Sequence, residues 1–230
     1  MAWKFELLMK PDTEQFIPEV PVWDDEYIYI TQIRKNRILR YDLKTNAIHE
    51  WRTGTNRTNG LAFDENGRLF GCCSGGRAIV RFDTDGKNVV IADRIDGKKL
   101  NTPNDLAIDR KGRIWFTNPV NEGNWDPTEV EELDNRSVLR ADPQPGGKYI
   151  VTRVTFDTTQ PNGILISQDQ KTLYVAESGS ARGIPRQLRA YPIRDDGSLG
   201  TYEALFTWGE DARGVHRGID GMCLDADGNI

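Results

Sequence analysis

Cysteine is scarce: Cys72, Cys73 and Cys223 are the only three in 230 residues. Three thiols build no disulfide framework, and their spacing fits no zinc-ligand pattern. They are expected as small buried hydrophobes in strands. Cys72 and Cys73 should face opposite ways, because neighbours in an extended strand point apart. No run of Lys or Arg occurs, and the formal net charge is −5. Nucleic acid is therefore not an expected partner. The longest apolar runs are only strand length, so no membrane span and no membrane partner are expected. Met1-Ala2-Trp3-Lys4-Phe5-Glu6 lacks the apolar core of a signal peptide, which makes a cytoplasmic location the expectation. A Gly-x-Ser-x-Gly elbow, a well-placed Ser/His/acid set and a phosphate-cradling glycine loop are all missing, which argues against serine-hydrolase and nucleotide chemistry.

What is present is a globular composition, 37% hydrophobic and 28% charged, long enough for one large core. The organising feature is a repeat. Asn104-Asp105-Leu106-Ala107-Ile108-Asp109 leads through Gly112 into Ile114-Trp115-Phe116. The same skeleton returns from Asn59 to Leu69, from Asn162 to Leu173 and from Asp220 to Ile230, with a fainter copy from Glu19 to Ile30. Aligning the Asp or Ser that ends each first strand puts Glu19, Asn59, Asn104, Asn162 and Asp220 at one equivalent position. The steps between them are 40, 45, 58 and 58 residues. Units of forty-odd residues with four strands each are the mark of β-propeller blades, the longer steps carrying insertions.

Strands are expected at 20–23, 27–30, 37–42 and 47–52 for blade one. Blade two follows at 61–63, 68–73, 78–82 and 88–92, blade three at 106–108, 113–117, 137–141 and 149–154, and blade four at 164–167, 172–176, 187–192 and 202–206. Blade five starts at Asp220. Residues 3–9 alternate like a strand that could close the ring from the other end, protecting both terminal edges. Residues 118–136 form an acidic insert with a helical turn expected at 128–133. Its acids read as solvated surface, the alternative being a lid over the channel mouth. The whole of 1–230 is expected to be a single propeller domain of about four and a half blades, with a natural protein that continues past Ile230.

In a propeller the innermost strand of each blade lines the central channel, so equivalent positions form a ring. Glu19, Asn104, Asn162 and Asp220 would bring two carboxylates and two amide oxygens to one end. Hard oxygen ligands of this kind suit Ca²⁺, with waters or substrate filling its remaining sites. Zn²⁺ fits less well without His or Cys in the ring, and Mn²⁺ or Mg²⁺ are alternatives. Asn59 completes the ring, facing substrate or a metal-bound water. Asp105 is either an orienter of the ring or a plain turn acid. Arg57 could reach substrate, His216 could sit at the rim, and His49 reads as a blade-edge surface residue.

Three runs carry a family resemblance: Asn101-Thr102-Pro103-Asn104-Asp105 with Gly112-Arg113-Ile114-Trp115-Phe116-Thr117-Asn118-Pro119, Gln160-Pro161-Asn162-Gly163 with Leu173-Tyr174-Val175-Ala176-Glu177, and Ile219-Asp220-Gly221-Met222 with Asp225-Ala226-Asp227-Gly228-Asn229. In this order they resemble the gluconolactonase/regucalcin (senescence marker protein) family. The resemblance implies an all-β, six-bladed propeller of four-stranded antiparallel blades, with one divalent metal in the channel held by a Glu, two Asn and an Asp. These positions fall on Glu19, Asn104, Asn162 and Asp220. One departure is Val20, where the family usually has Gly. The implied activity is hydrolysis of a sugar lactone. The metal would polarise the ester carbonyl, Asp220 would be the general base, and Asn104, Asn59 and Arg57 would meet the substrate. Two alternatives remain open: a phosphotriesterase or aryl-lactonase using the same metal, and a non-enzymatic binding propeller.

Overall fold

A computed structural model describes residues 7, 18–121, 123, 126, 128–179, 183–212, 214–216 and 218–230. Each repeat turns on one side-chain oxygen. Asp24 Oδ1 accepts the amides of Glu26 and Tyr27 at 3.1 and 2.7 Å. Asp64 Oδ1 takes those of Asn66 and Arg68 at 3.0 and 2.9 Å, and Asp109 Oδ1 those of Lys111 and Arg113 at 2.9 and 3.0 Å. Ser167 Oγ takes Lys171 and Thr172 at 3.2 and 2.9 Å, and Asp225 Oδ1 takes Asp227 and Asn229 at 2.9 and 2.8 Å. A short polar side chain here mimics a backbone turn and sets where the first strand ends. The same five residues also donate their own amides across the hairpin, so the five aligned positions are structurally equivalent.

The hairpins grow into four-stranded antiparallel sheets, each in simple sequential order. Blade one is β1 (Glu19–Trp23), β2 (Tyr27–Gln32), β3 (Arg37–Asp42) and β4 (Ile48–Thr53). Blade two is β5 (Thr58–Phe63), β6 (Leu69–Cys73), β7 (Ala78–Phe82) and β8 (Asn88–Ala92). A small hairpin, β9 (Arg94–Ile95) with β10 (Lys98–Lys99), leads onward. Blade three is β11 (Leu106–Ile108), β12 (Ile114–Asn118), β13 (Ser137–Pro143) and β14 (Tyr149–Arg153). Blade four is β15 (Pro161–Ile166), β16 (Thr172–Ser178), β17 (Arg186–Pro192) and β18 (Glu203–Trp208). A second hairpin pairs β19 (Glu210–Asp211) with β20 (Gly214–Val215).

Every strand expected in blades one to four is present, with ends shifted by a few residues. The two small hairpins were not expected. Blade five has its turn at Asp225 but no strand from Asp220, since no ladder runs on beyond the turn. The helical turn expected at 128–133 is absent among the described residues, where Thr128 Oγ and N bond Asp126 Oδ1 instead. The strand expected at 3–9 lies outside the described residues apart from Leu7, which is in no strand.

The core sits between successive blades. Tyr29, Ile38, Leu61, Leu69 and Phe82 pack between blades one and two. Phe70, Ile79, Leu106, Ile114 and Phe116 pack between blades two and three. Trp115, Val138, Ile164, Leu173 and Val175 pack between blades three and four. Strand alternation explains how neighbours serve different interfaces. Cys72 belongs to the second cluster and Cys73 to the first. Cys223, by contrast, is exposed rather than buried. His49 lies exposed on β4, at a blade edge as expected.

Candidate functional site

The inner strands carry the same irregularity where the site forms. Register shifts fall between Glu19 and Val22 in blade one, Thr58 and Leu61 in blade two, and Pro161 and Ile164 in blade four. Such bulges re-aim side chains at strand ends. Here they fall at or beside Glu19, Asn59 and Asn162, each five residues before its turn. Glu19, Asn59, Asn104, Asn162 and Asp220 line one cavity of about 460 Å³, together with Asp105 and Cys223. All five ring positions read from the sequence are therefore brought together.

Main-chain bonds between blades hold that ring. Gly60 N donates to Asn104 O at 2.8 Å, and Gly163 N to Asp220 O at 3.0 Å. A β-carbon on Gly60 would stand 2.7 Å from Asn104 O and from the Asp105 Cα, so the second residue of each Asn-Gly pair lets neighbouring strands touch. Blade one has Val20 there, in the left-handed region at φ 41°, a strained conformation for a β-branched residue. Blade three has Asp105. Its Oδ1 accepts its neighbour Leu106 N at 2.9 Å, and its Oδ2 accepts Ile164 N of blade four at 3.2 Å. Asp105 thus stitches two blades and is not a loose turn acid. Burial pushes its carboxyl up to about 7, against the lowering effect of those amides, and the charges of Asp220 and Glu19 push the same way as burial.

The ring presents mostly oxygen atoms to the cavity. Asn162 Nδ2 donates to Asp220 Oδ1 at 2.8 Å, which leaves the Asn162 amide oxygen as its remaining ligand atom. Asn59 is 8% exposed and its Oδ1 is buried without a partner among the described residues. A buried amide oxygen left alone is costly unless something meets it. Two carboxylates, two amide oxygens and this orphan make a set that fits a hard divalent ion. No cluster of three or more His, Cys, Asp or Glu occurs among the described residues.

Arg57 is not part of the cavity. Its Nη1 donates to Gly123 O of the insert, and its backbone N bonds Asn36 Oδ1 at 2.7 Å. His216 does not line the cavity either; its Nε2 lies 3.0 Å from Asp211 Oδ2. Above the ring a second cavity of about 750 Å³ shares Asn104, Asn162 and Asp220 and is walled by Val120, Asn121 and Gln160. The start of the insert therefore borders the mouth. Glu122 lies outside the described residues. The insert's Glu129 and Glu132 are not simply solvated: Arg77 Nη1 and Lys99 Nζ bond Glu129 at 2.8 and 2.7 Å, and Lys99 N bonds Glu132 at 2.9 Å. Glu177 was not singled out from the sequence. It is fully buried, and its Oε1 accepts Thr159 Oγ and Gln160 N, both at 2.6 Å. An acid ending an apolar strand carries no signal of that role.

Residues 17–230 match the family described as the SMP-30/Gluconolactonase/LRE-like region. The chain belongs to that family. It is 29% identical over 177 residues to a gluconolactonase of Zymomonas mobilis, covering 75% of this chain and 48% of that protein. The chain thus spans about half the length of that curated relative. Among solved structures, a gluconolactonase from Xanthomonas campestris superposes with a TM-score of 0.78 at 32% identity, over 93% of this chain and 68% of the other. A calcium-binding regucalcin from Agrobacterium tumefaciens shares the fold, with a TM-score of 0.60 at 18% identity over 93% and 72% of the two chains. The blades described above are thus those of a gluconolactonase-type β-propeller. No helix among the described residues is long and apolar enough to cross a membrane.

Proposed function

We propose that this protein hydrolyses a sugar lactone, using a divalent cation, Ca²⁺ by its ligand chemistry, held by Glu19, Asn104, Asn162 and Asp220. The observation that carries the reading is the convergence of those four residues and the orphaned Asn59 Oδ1 on one cavity. The gluconolactonases of Zymomonas mobilis and Xanthomonas campestris support the substrate class. When bound, such a cation supplies Lewis-acid polarisation of the ester carbonyl. The Asp220 carboxylate takes the proton of the attacking water. The ring C–O bond then breaks, and the departing oxygen takes that proton back from Asp220 to become the hydroxyl of the open-chain acid. Asn162, bonded to Asp220, holds that carboxylate in place. Asn59 and Asn104 face the substrate side of the cavity. Asp105 keeps the third and fourth blades in register beneath them.

The test is hydrolysis of glucono-1,5-lactone by the purified protein with and without Ca²⁺. Asp220→Ala should lower kcat/KM by about a thousandfold, as loss of a general base does, with the circular-dichroism spectrum unchanged. Turnover unaffected by both chelator and Asp220→Ala would remove the proposed site.

A further inference from the structure

The upper cavity holds two carboxamides that neither the ring nor the core uses. Gln160 is anchored twice through its backbone: its N donates to buried Glu177 Oε1 at 2.6 Å, and its O accepts Ser178 N at 3.0 Å. Asn121 is anchored through its N, which bonds the buried Thr102 Oγ at 2.8 Å; Thr102 Oγ in turn donates to Pro119 O at 2.9 Å. The side chains then meet, Gln160 Nε2 lying 3.3 Å from Asn121 Oδ1 and 3.4 Å from Val120 O. That contact uses a donor of one amide and the acceptor of the other. Gln160 Oε1 and Asn121 Nδ2 are left without partners among the described residues, one acceptor beside one donor. Both residues wall the same cavity as Asn104, Asn162 and Asp220.

We propose that Asn121 and Gln160 form a hydroxyl-reading subsite for the ring of the substrate. A hydroxyl group is itself donor and acceptor, and adjacent hydroxyls match an acceptor–donor pair of fixed spacing. Gln160 precedes the ring residue Asn162 by two positions, which places the subsite about 7 Å along the chain from the reacting end. A cyclic polyol can reach from one to the other; an unsubstituted lactone cannot. The backbone anchors matter because a site fixed before binding spends little on ordering. The fixed pair also favours hydroxylated rings over bare ones: without a hydroxyl, two buried polar groups stay unpaired when the ligand covers them. This inference rests on the lactonase reading for the identity of the ring, but not for the binding itself.

The experiment keeps the two apart. Binding of the non-hydrolysable polyol 1,5-anhydroglucitol to the Ca²⁺-loaded protein is measured by calorimetry. In parallel, kcat/KM is measured for glucono-1,5-lactone and for hydroxyl-free δ-valerolactone. Gln160→Met and Asn121→Leu keep side-chain size and remove the hydrogen bonds. Each should weaken polyol binding at least tenfold and raise KM for gluconolactone similarly, while leaving kcat and δ-valerolactone turnover within twofold. Polyol binding that is absent from the wild type, or equal in wild type and variants, overturns the subsite. Equal losses on both lactones overturn it too, since they would report damage to the ring. Polyol binding that falls in the variants, in a protein that hydrolyses neither lactone, would uphold the subsite and reject the lactonase reading.

Discussion

At the scale of single residues, the site depends on what is missing from Gly60 as much as on what its neighbours carry. An added methyl group at 2.7 Å from backbone atoms of Asn104 and Asp105 has nowhere to go without moving blade three. Gly60→Ala should therefore cost about 1–3 kcal/mol, the usual price of overpacking, seen as a lower urea midpoint and weaker Ca²⁺ binding. A midpoint equal to that of the wild type would show that the blades do not need this contact. The thiols make a second residue-scale case. Burial pushes Cys73 up to about 11 and Cys72 well above the ordinary thiol range, whereas Cys223 is exposed. At pH 8 the first two remain protonated as well as covered, and the thiolate is the reactive form. A thiol-reactive dye should thus label one cysteine in the native protein and three after unfolding. Fast labelling of a second thiol in the native state would contradict the packing between the first three blades. The sequence made the pairing of faces legible at Cys72 and Cys73 but not the fate of Cys223, which depends on contacts around a segment that forms no strand.

At the scale of elements, the turns were the most legible part. A short polar side chain at Asp24, Asp64, Asp109, Ser167 and Asp225 sets a local bond two to five residues away, so each hairpin could be located from its own few residues. The insert at 118–136 was not legible in this way, because its conformation is decided by distant partners. Arg77, 2% exposed, reaches from blade two to Leu100 O at 2.6 Å, Val130 O at 3.1 Å and Glu129 Oε2 at 2.8 Å. Alternation marks Arg77 only as a polar residue before a strand. Glu129→Ala should release the insert and remove the carboxylate that meets the buried Arg77 guanidinium. The expected result is faster limited proteolysis within 118–136 and a stability loss larger than the ~1 kcal/mol of an exposed ion pair, because the Arg77 end of this pair is buried. Cleavage at the wild-type rate would mean that the strap is held elsewhere. Arg57 belongs to the same lesson. A loop arginine near the ring reads as a substrate contact or as a solvated turn residue, yet the fold bonds it to Gly123 of the insert.

At the scale of the whole molecule, each blade packs on the next, and stability in such repeats is close to a sum of neighbouring interfaces. A cation held by Glu19, Asn104, Asn162 and Asp220 would join four separate repeats, of which blade one packs toward blade three through blade two. Ca²⁺ at a hundred times its dissociation constant should accordingly stabilise the folded state by about 2.7 kcal/mol, read as a rise in Tm that a chelator reverses. Asn162→Ala should abolish that rise while leaving the chelated protein's Tm nearly unchanged. A Ca²⁺-independent Tm in the wild type would dismiss the ion as a bridge between blades. This scale shows why the repeat was readable and Glu177 was not. Period and register are written in the order of residues. The buried acid acts across the sheet on Thr159 and Gln160, and Arg189 Nη1 lies 3.6 Å from it; none of this leaves a local pattern.

The main-chain bonds from Gly60 to Asn104 and from Gly163 to Asp220 have a consequence for how such a protein can change. They fix the aperture of the channel mouth through peptide groups, which the missing β-carbons of Gly60 and Gly163 let approach this closely. The side chains that face inward set only the charge of that aperture. Exchanging Asn for Asp at a ring position would alter the electric field without altering the bore. The charge that faces the cavity and the size of its opening can therefore drift independently in this scaffold.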